Sequence, residues 1–254
     1  MPNLKSPSYI KSYINRFTKE KKRKKILSKI PIELDAYEKE LLCEIFISSI
    51  TMEPLTRLIN TALSIVHVIE QDIKGDFVEC GVYKGGQGAL AAGIFSNRKQ
   101  HHRKIFLFDT YSGATKPGKE DVRISTGDSA ISKWMQTNGN WMNSGIKEVR
   151  NNLKKLGVLN ENVKFIIGDV QKTLMEKNNI SKEIAILRLD TNQYNSTKIE
   201  LETLYPNLNK SGVLIVNDYG FWAGTKKAVD EYFSDKNSPF FLSVDSAARF
   251  GSKP

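Results

Sequence analysis

Five apolar runs in this 254-residue chain finish at or just past an acid: Glu79 in DFVEC, Asp109 after KIFLF, Asp169 after VKFII, Asp190 after IAILRL and Asp218 after VLIVN. A single aspartate after a strand is an ordinary turn or helix-capping residue. Five in succession make an acidic rim, which can accept hydrogen bonds from hydroxyls, hold a cation or take a proton. After Glu79 comes the stretch GVYKGGQG, with Gly81, Gly85, Gly86 and Gly88. It is not the dinucleotide fingerprint G-x-G-x-x-G, because Val82 and Tyr83 follow Gly81. It is not a phosphate-binding P-loop either, since Gln87-Gly88 stands in place of Lys-Ser/Thr. What remains is an acid closing a strand, followed by glycines that let backbone approach a ligand closely.

The elements that must position these residues read as an alternation. Strands are expected at about 76–80, 104–108, 163–167, 184–189 and 213–217, and helices near 86–95, 146–156, 170–177, 196–206 and 224–234. Continuous apolar strands separated by helices imply a parallel sheet covered on both faces, and right-handed crossovers make it a doubly wound α/β fold. Such folds bind ligands beyond the carboxyl ends of their strands, where the acids lie. The closing PFFLSVDSAARFGSKP adds one or two antiparallel edge strands. Upstream, 33–49 reads as a helix and TMEPLTRLINTALSIVHVIEQDI as another, with Thr51 as N-cap and Leu55, Leu58, Ile59, Ala62, Val66 and Ile69 as its apolar face. His67 lies near that face as a packing residue. Asp109 sits where such folds use a carboxylate to hold ribose hydroxyls. A nucleoside without a pyrophosphate suits this pattern, and S-adenosylmethionine is such a ligand.

Composition narrows the class. The chain is 40% apolar, enough to fill a core, and carries a formal net charge of +10. Residues 1–30 hold ten Lys or Arg against Glu20 alone, so nearly all of the excess sits in this arm. Such an arm suits an anionic surface. Nucleic acid is not expected, since no RNP, zinc-finger or helix-turn-helix signature accompanies it. No apolar stretch is long enough to span a bilayer and no signal-peptide pattern is present, so a cytoplasmic protein is expected. Cys43 and Cys80 read as buried thiols rather than a disulfide or metal pair. The division expected is a basic arm and helix over 1–50 and a ligand-binding domain over 51–254, with a lid-like insert at about 110–145.

GDFVECGVYKGG, LFDTYSGATKPG, VKFIIGDVQKTL, LRLDTNQYNSTKIELETLYPNLNKSGVLIVNDYG and GTKKAVDEYF, in this order, resemble the TylF/MycF/NovP group of macrocin-type O-methyltransferases, over about Thr51 to Phe233. The resemblance implies a class I, Rossmann-like methyltransferase fold with seven strands and an N-terminal helical extension. It implies transfer of a methyl group from S-adenosylmethionine to a sugar hydroxyl with the aid of magnesium, and a homo-oligomer. The cofactor would be held by Glu79, Gly81, Tyr83, Lys84, Gly85, Gly86, Asp109, Thr110, Ser112, Gly168, Asp169 and Asp190. Asp190 would be the base, and Asp190, Asn217 and Asp218 would be the metal ligands.

Two departures bear on the metal. The family commonly carries a second Asp two residues after Asp190, where this chain has Asn192, and an acid before Asp218, where it has Asn217. Each amide removes a negative charge from a hard-cation site. An aliphatic alcohol has a pKa near that of water, about 15.7, so it needs a base, a metal or both to become a nucleophile. None of His67, His101 and His102 is needed. Within the insert, Tyr111, Trp134 and Trp141, and beyond it Tyr194, are expected on the acceptor. Other acceptors in view are a phenol or a lipid- or nucleotide-linked glycan, and a non-catalytic cofactor binder is a further reading. Amino-group methylation is disfavoured because LDTNQY lacks the Pro-Pro of the Asn/Asp-Pro-Pro-aromatic motif.

Overall fold

A computed structural model of the chain describes residues 20–176 and 181–254. Most of the basic arm, residues 1–19, and the end of the helix expected at 170–177 therefore lie outside the described residues. A helical stretch over 20–27 (α1) buries Ile26 and leads through the buried Ile30 and Leu34 to α2, Ala36–Ile47. A capping box starts α2. Asp35 Oδ1 accepts from the Glu38 N–H at 2.9 Å, and the Glu38 carboxylate accepts from the Asp35 N–H at 3.0 Å. Glu38 is fully buried and also accepts from Arg98 Nε at 2.6 Å, which ties the start of α2 to the end of α4 (Gly86–Asn97).

The sheet has seven strands: β1 Asp76–Cys80, β2 Ile105–Asp109, β3 Val163–Ile167, β4 Ile184–Leu189, β5 Leu208–Val216, β6 Phe240–Ser243 and β7 Arg249–Ser252. Their order is β3-β2-β1-β4-β5-β7-β6, with the first five parallel and β7 antiparallel to both β5 and β6. Order reverses between β1 and β4, so the switch point falls where Glu79 and Asp190 end adjacent strands. Alternation assigns the faces. Phe77, Ile105, Leu107, Ile186 and Ile215 join one apolar cluster with α2, α3 (Leu55–Glu70), α4 and α6 (Ile146–Lys155). Val78, Cys80, Phe108, Leu187, Leu189 and Leu214 join another with α8 (Tyr194–Leu204) and α9 (Ala223–Phe233). Both cysteines are buried free thiols. Among the described residues no helix is long and apolar enough to cross a membrane.

Four local expectations are corrected. Helix α3 begins at Leu55 with Pro54 as its cap residue. Thr51 does not cap it, because its hydroxyl instead accepts from the Glu53 N–H at 3.0 Å, in a turn that brings Glu53 inward. His67 is exposed at the end of α3 rather than packed. The strand expected at 213–217 starts earlier, at Leu208, which pairs with Ile184 across an irregularity at Ser211, where φ is +63°. The helix after Asp169, α7, covers only Val170–Thr173.

The insert is a docked structure as well as a connection. It contains α5 (Ala130–Gln136), and its Arg123 bridges to Trp222. The fully buried Asp121 accepts from the Tyr194 N–H at 2.8 Å and the Gly118 N–H at 2.7 Å, pinning the insert to the start of α8.

Candidate active site

At the carboxyl ends of β1, β2, β3, β4 and β5 lies a pocket lined by Gly81, Tyr83, Asp109, Thr110, Gly168, Asp169, Asp190, Asn217 and Asp218. Gly81 is required by space: a Cβ there would sit 2.3 Å from the Asp190 carbonyl oxygen, and φ is +87°. Only glycine lets the ends of β1 and β4 close against each other at this point. Asp109 then fixes the turn. Its Oδ2 accepts from the N–H groups of Val82 at 2.6 Å and Tyr83 at 3.1 Å, and its Oδ1 accepts from the Tyr111 N–H at 2.8 Å. The Thr110 hydroxyl, which donates to the Gly113 carbonyl at 2.5 Å, also lies 3.4 Å from Oδ1, so Asp109 shapes the turn as much as it can contact a ligand. Asp169 caps α7 through the Gln171 N–H at 3.0 Å and faces the same pocket.

Behind the rim lies an ion-pair network centred on Arg188. This guanidinium is 1% exposed inside the otherwise apolar β4. It donates to Glu79 Oε1 at 2.8 Å, Glu53 Oε1 at 3.0 Å and Asp190 Oδ2 at 2.9 Å. Arg57, one helical turn after Glu53, reaches Glu53 at 3.2 Å, Asp218 at 3.5 Å and Asp245 at 2.6 Å. Five carboxyl groups thus share two guanidinia, an imbalance that favours either a bound cation or proton uptake by the acids. Burial, with neighbouring acids adding to it, raises the Glu79 pKa to about 7 and the Asp218 pKa to about 6, and lifts Asp190 well above its ordinary value. A cationic ligand answers such a deficit. Glu79 Oε2 is buried without a partner, outside the pocket lining, and the resemblance expects this acid to accept from the methionine part of the cofactor. Glu79→Gln should therefore weaken S-adenosylhomocysteine binding by about 1.5–3 kcal/mol, the range for a hydrogen bond to a charged group. Isothermal titration calorimetry checks this, and an affinity unchanged within about twofold would remove Glu79 from the cofactor site.

Several residues expected at the site lie elsewhere. Lys84 pairs with Glu148 at 3.5 Å. Gly85 caps α4 in a left-handed conformation against Val149, and Gly86 backs onto Ile50. Ser112 is exposed beyond the pocket. Tyr111 is corrected from acceptor to core: with φ +52° it turns inward, packs edge-on against Phe165, and its hydroxyl donates to the Leu107 carbonyl at 3.0 Å. Trp134 closes the insert, donating to the Ala114 carbonyl at 2.9 Å. Trp141 stacks edge-on behind Trp222, which is the residue that lines the pocket. Tyr194 points to α9, where its hydroxyl donates to Glu231 at 2.6 Å.

Asn217 is held by protein groups on both sides of its amide. Its amide nitrogen donates to Asp190 Oδ1 and Glu53 Oε1, both at 2.8 Å, and its oxygen accepts from Arg57 at 3.3 Å. Glu53, Arg57, Arg188, Met142, Phe221 and Trp222 are site residues that the strand-end pattern did not point to.

The chain matches the family model described as macrocin-O-methyltransferase (TylF) over residues 7–250. It is 31% identical to demethyldecarbamoylnovobiocin O-methyltransferase of Streptomyces niveus over 182 residues, 72% of this chain and 67% of that protein. Over the same share of both chains it is 28% identical to the 8-demethyl-8-(2,3-dimethoxy-alpha-L-rhamnosyl)-tetracenomycin-C 4'-O-methyltransferase of Streptomyces olivaceus. Its fold is similar to the solved structure of the O-methyltransferase NovP, with TM-score 0.71 and 28% identity over 80% of this chain and 81% of that one. The chain thus has relatives in both sequence and shape, and it belongs to the TylF macrocin-O-methyltransferase family of S-adenosylmethionine-dependent O-methyltransferases.

Proposed function

We propose that this enzyme methylates a hydroxyl of a sugar within a glycoside, with Asp190 as the proton acceptor. The observation that carries this is the position of Asp190: its carboxylate reaches the pocket at the switch point, anchored by Arg188 on one oxygen and Asn217 on the other. The relatives support a sugar acceptor, since their names specify methylation of a rhamnosyl tetracenomycin and of mycinamicin III at 3''.

S-Adenosylmethionine supplies an electrophilic methyl group. The chain's own residues do the rest. Gly81 and Tyr83 give backbone contact, Asp109 takes a ribose hydroxyl, and Asp169 borders the base. Asp190 accepts the proton of the acceptor hydroxyl as its oxygen bonds to the methyl carbon and the carbon–sulfur bond breaks. No covalent enzyme intermediate is needed. Magnesium, expected from the resemblance, is poorly matched by the donors present. Among the described residues no group of three or more His, Cys, Asp or Glu could hold a metal ion, and the step above does not pass through one.

Met52, Met142, Phe221 and Trp222 give the acceptor side an apolar wall. Arg57 is the one cation among the described lining residues, and three carboxylates engage it. A diphosphate therefore finds no free positive partner, which favours a glycoside over a nucleotide-linked sugar. Offering methyl-labelled S-adenosylmethionine with an aryl rhamnoside, dTDP-rhamnose and catechol separates these classes by mass spectrometry. Label on the rhamnoside is expected; label on catechol alone would overturn the reading.

A further inference from the structure

We infer that the transfer centre of this chain is closed by its own amides and guanidinia, and that the reaction proposed above needs no divalent cation. The inference rests on that reaction for its role but on separate geometry for its content. A hard cation can be held by as few as two carboxylates, provided that oxygen lone pairs converge on one point. Here three of the four carboxylate oxygens of Asp190 and Asp218 face a protein donor, and the fourth lies against the side-chain amide of Asn192.

Asp190 Oδ2 accepts from Arg188 at 2.9 Å, and Asp190 Oδ1 from Asn217 at 2.8 Å. Asp218 Oδ1 faces Arg57 at 3.5 Å. Asp218 Oδ2 lies against the Asn192 amide. Turned so that its nitrogen faces the acids, and away from its 3.9 Å contact with Met142 Sδ, the amide donates to Asp218 Oδ2 at 2.5 Å and to Asp190 Oδ1 at 3.3 Å. With the amide reversed, three oxygens would crowd one another within those same distances, each facing only acceptors. The donating orientation satisfies all of them.

The backbone supports this arrangement. Asn192 has φ +66°, a left-handed conformation that asparagine tolerates better than most residues, and it aims the amide back across the end of β4. Asn217 has its three contacts to Asp190, Glu53 and Arg57, which fix its direction. A dication at this point would have to break the two amide contacts and lie near two guanidinia. Asn192 and Asn217 are thus positioning residues that orient the two acids by donation, and the deficit of positive charge is met by the cationic cofactor.

The test is a Mn2+ titration of the full chain loaded with S-adenosylhomocysteine, following free Mn2+ by electron paramagnetic resonance. Wild-type protein should leave Mn2+ free at equimolar concentration. Asn217→Asp, which adds a carboxylate and removes a donor, should bind Mn2+ at least about tenfold more tightly. Asn192→Asp does the same from the other side and serves if the first variant does not fold. One equivalent of Mn2+ bound to the wild type and released by Asp218→Ala would overturn the inference. Loss of methyl transfer on chelation, restored by Mg2+, would do so too. Calorimetry with S-adenosylhomocysteine reads cofactor binding separately, so failure of the methyltransferase reading is not confused with presence of a cation.

Discussion

Asp190→Asn should lower methyl transfer by about 100- to 10,000-fold, the usual worth of a positioned general base. The substitution is isosteric and its amide oxygen can still accept from Arg188. Its NH2 group then meets the donating Asn217 amide, so a melting curve on the same preparation checks that the fold is retained. Affinity for S-adenosylhomocysteine should fall by less than about tenfold, because the variant keeps Glu79, Asp109 and Asp169. Single-turnover transfer and calorimetry on the same preparation separate the two effects. Collapse of both together would make Asp190 a structural anchor of the cofactor site instead. A pH dependence accompanies this role. Burial holds the Asp190 pKa well above the ordinary carboxylate range, and only the ionised form accepts a proton. Wild-type transfer should therefore rise with pH through the ionisation of this acid, a limb that the Asn variant lacks.

The second large effect falls on stability. Arg188 is the counter-charge of Glu53, Glu79 and Asp190, and it is almost wholly buried. Arg188→Met fills a similar space but leaves three carboxylates without that partner, which should cost about 3–5 kcal/mol. For a chain of this length that is a drop in Tm of roughly 10 °C. The sign with pH is fixed. Glu79 and Asp190 already have raised folded-state pKa values, and losing the guanidinium raises them further. Acids shifted this way destabilise the fold once pH exceeds their unfolded values, and they cost nothing below those values. The deficit of the variant should be larger at pH 8 than at pH 5 by differential scanning calorimetry. Arg188→Lys, which keeps the charge, should recover part of it. An equal deficit at both pH values would mean that lost packing, and not unpaired charge, is the cause.

Strand-end acids were readable because a parallel sheet puts all its carboxyl ends on one side, so DFVEC, KIFLF, VKFII, IAILRL and VLIVN locate Glu79, Asp109, Asp169, Asp190 and Asp218 together. The glycine elbow was readable for the same reason. The network beneath was less so. Arg188 did leave a signal: a lone arginine inside the apolar IAILRL must be paired if the strand is buried on both faces, and its neighbours on β1 and β4 are acids. Glu53 and Arg57 gave none, since they come from a turn and helix far upstream whose docking on the strand ends is a tertiary event. The aromatic expectations failed where the backbone decided direction. Tyr111 and Trp134 are of the right type, but a left-handed φ at Tyr111 and a carbonyl partner for Trp134 turn them into packing residues, while Trp222, at the start of α9, takes the lining position. The two asparagines showed where charge is missing, yet only the geometry showed that both amides face the acids as donors.

A crystal structure with S-adenosylhomocysteine bound tests the account most directly. The predicted result is the nucleoside in the pocket between Gly81, Asp109 and Asp169, with its amino group on Glu79 Oε2 and Asp190 open to an acceptor beside it. The account is contradicted if the nucleoside settles away from the carboxyl ends of β1 and β4, or if Glu79 keeps its free oxygen turned from the ligand.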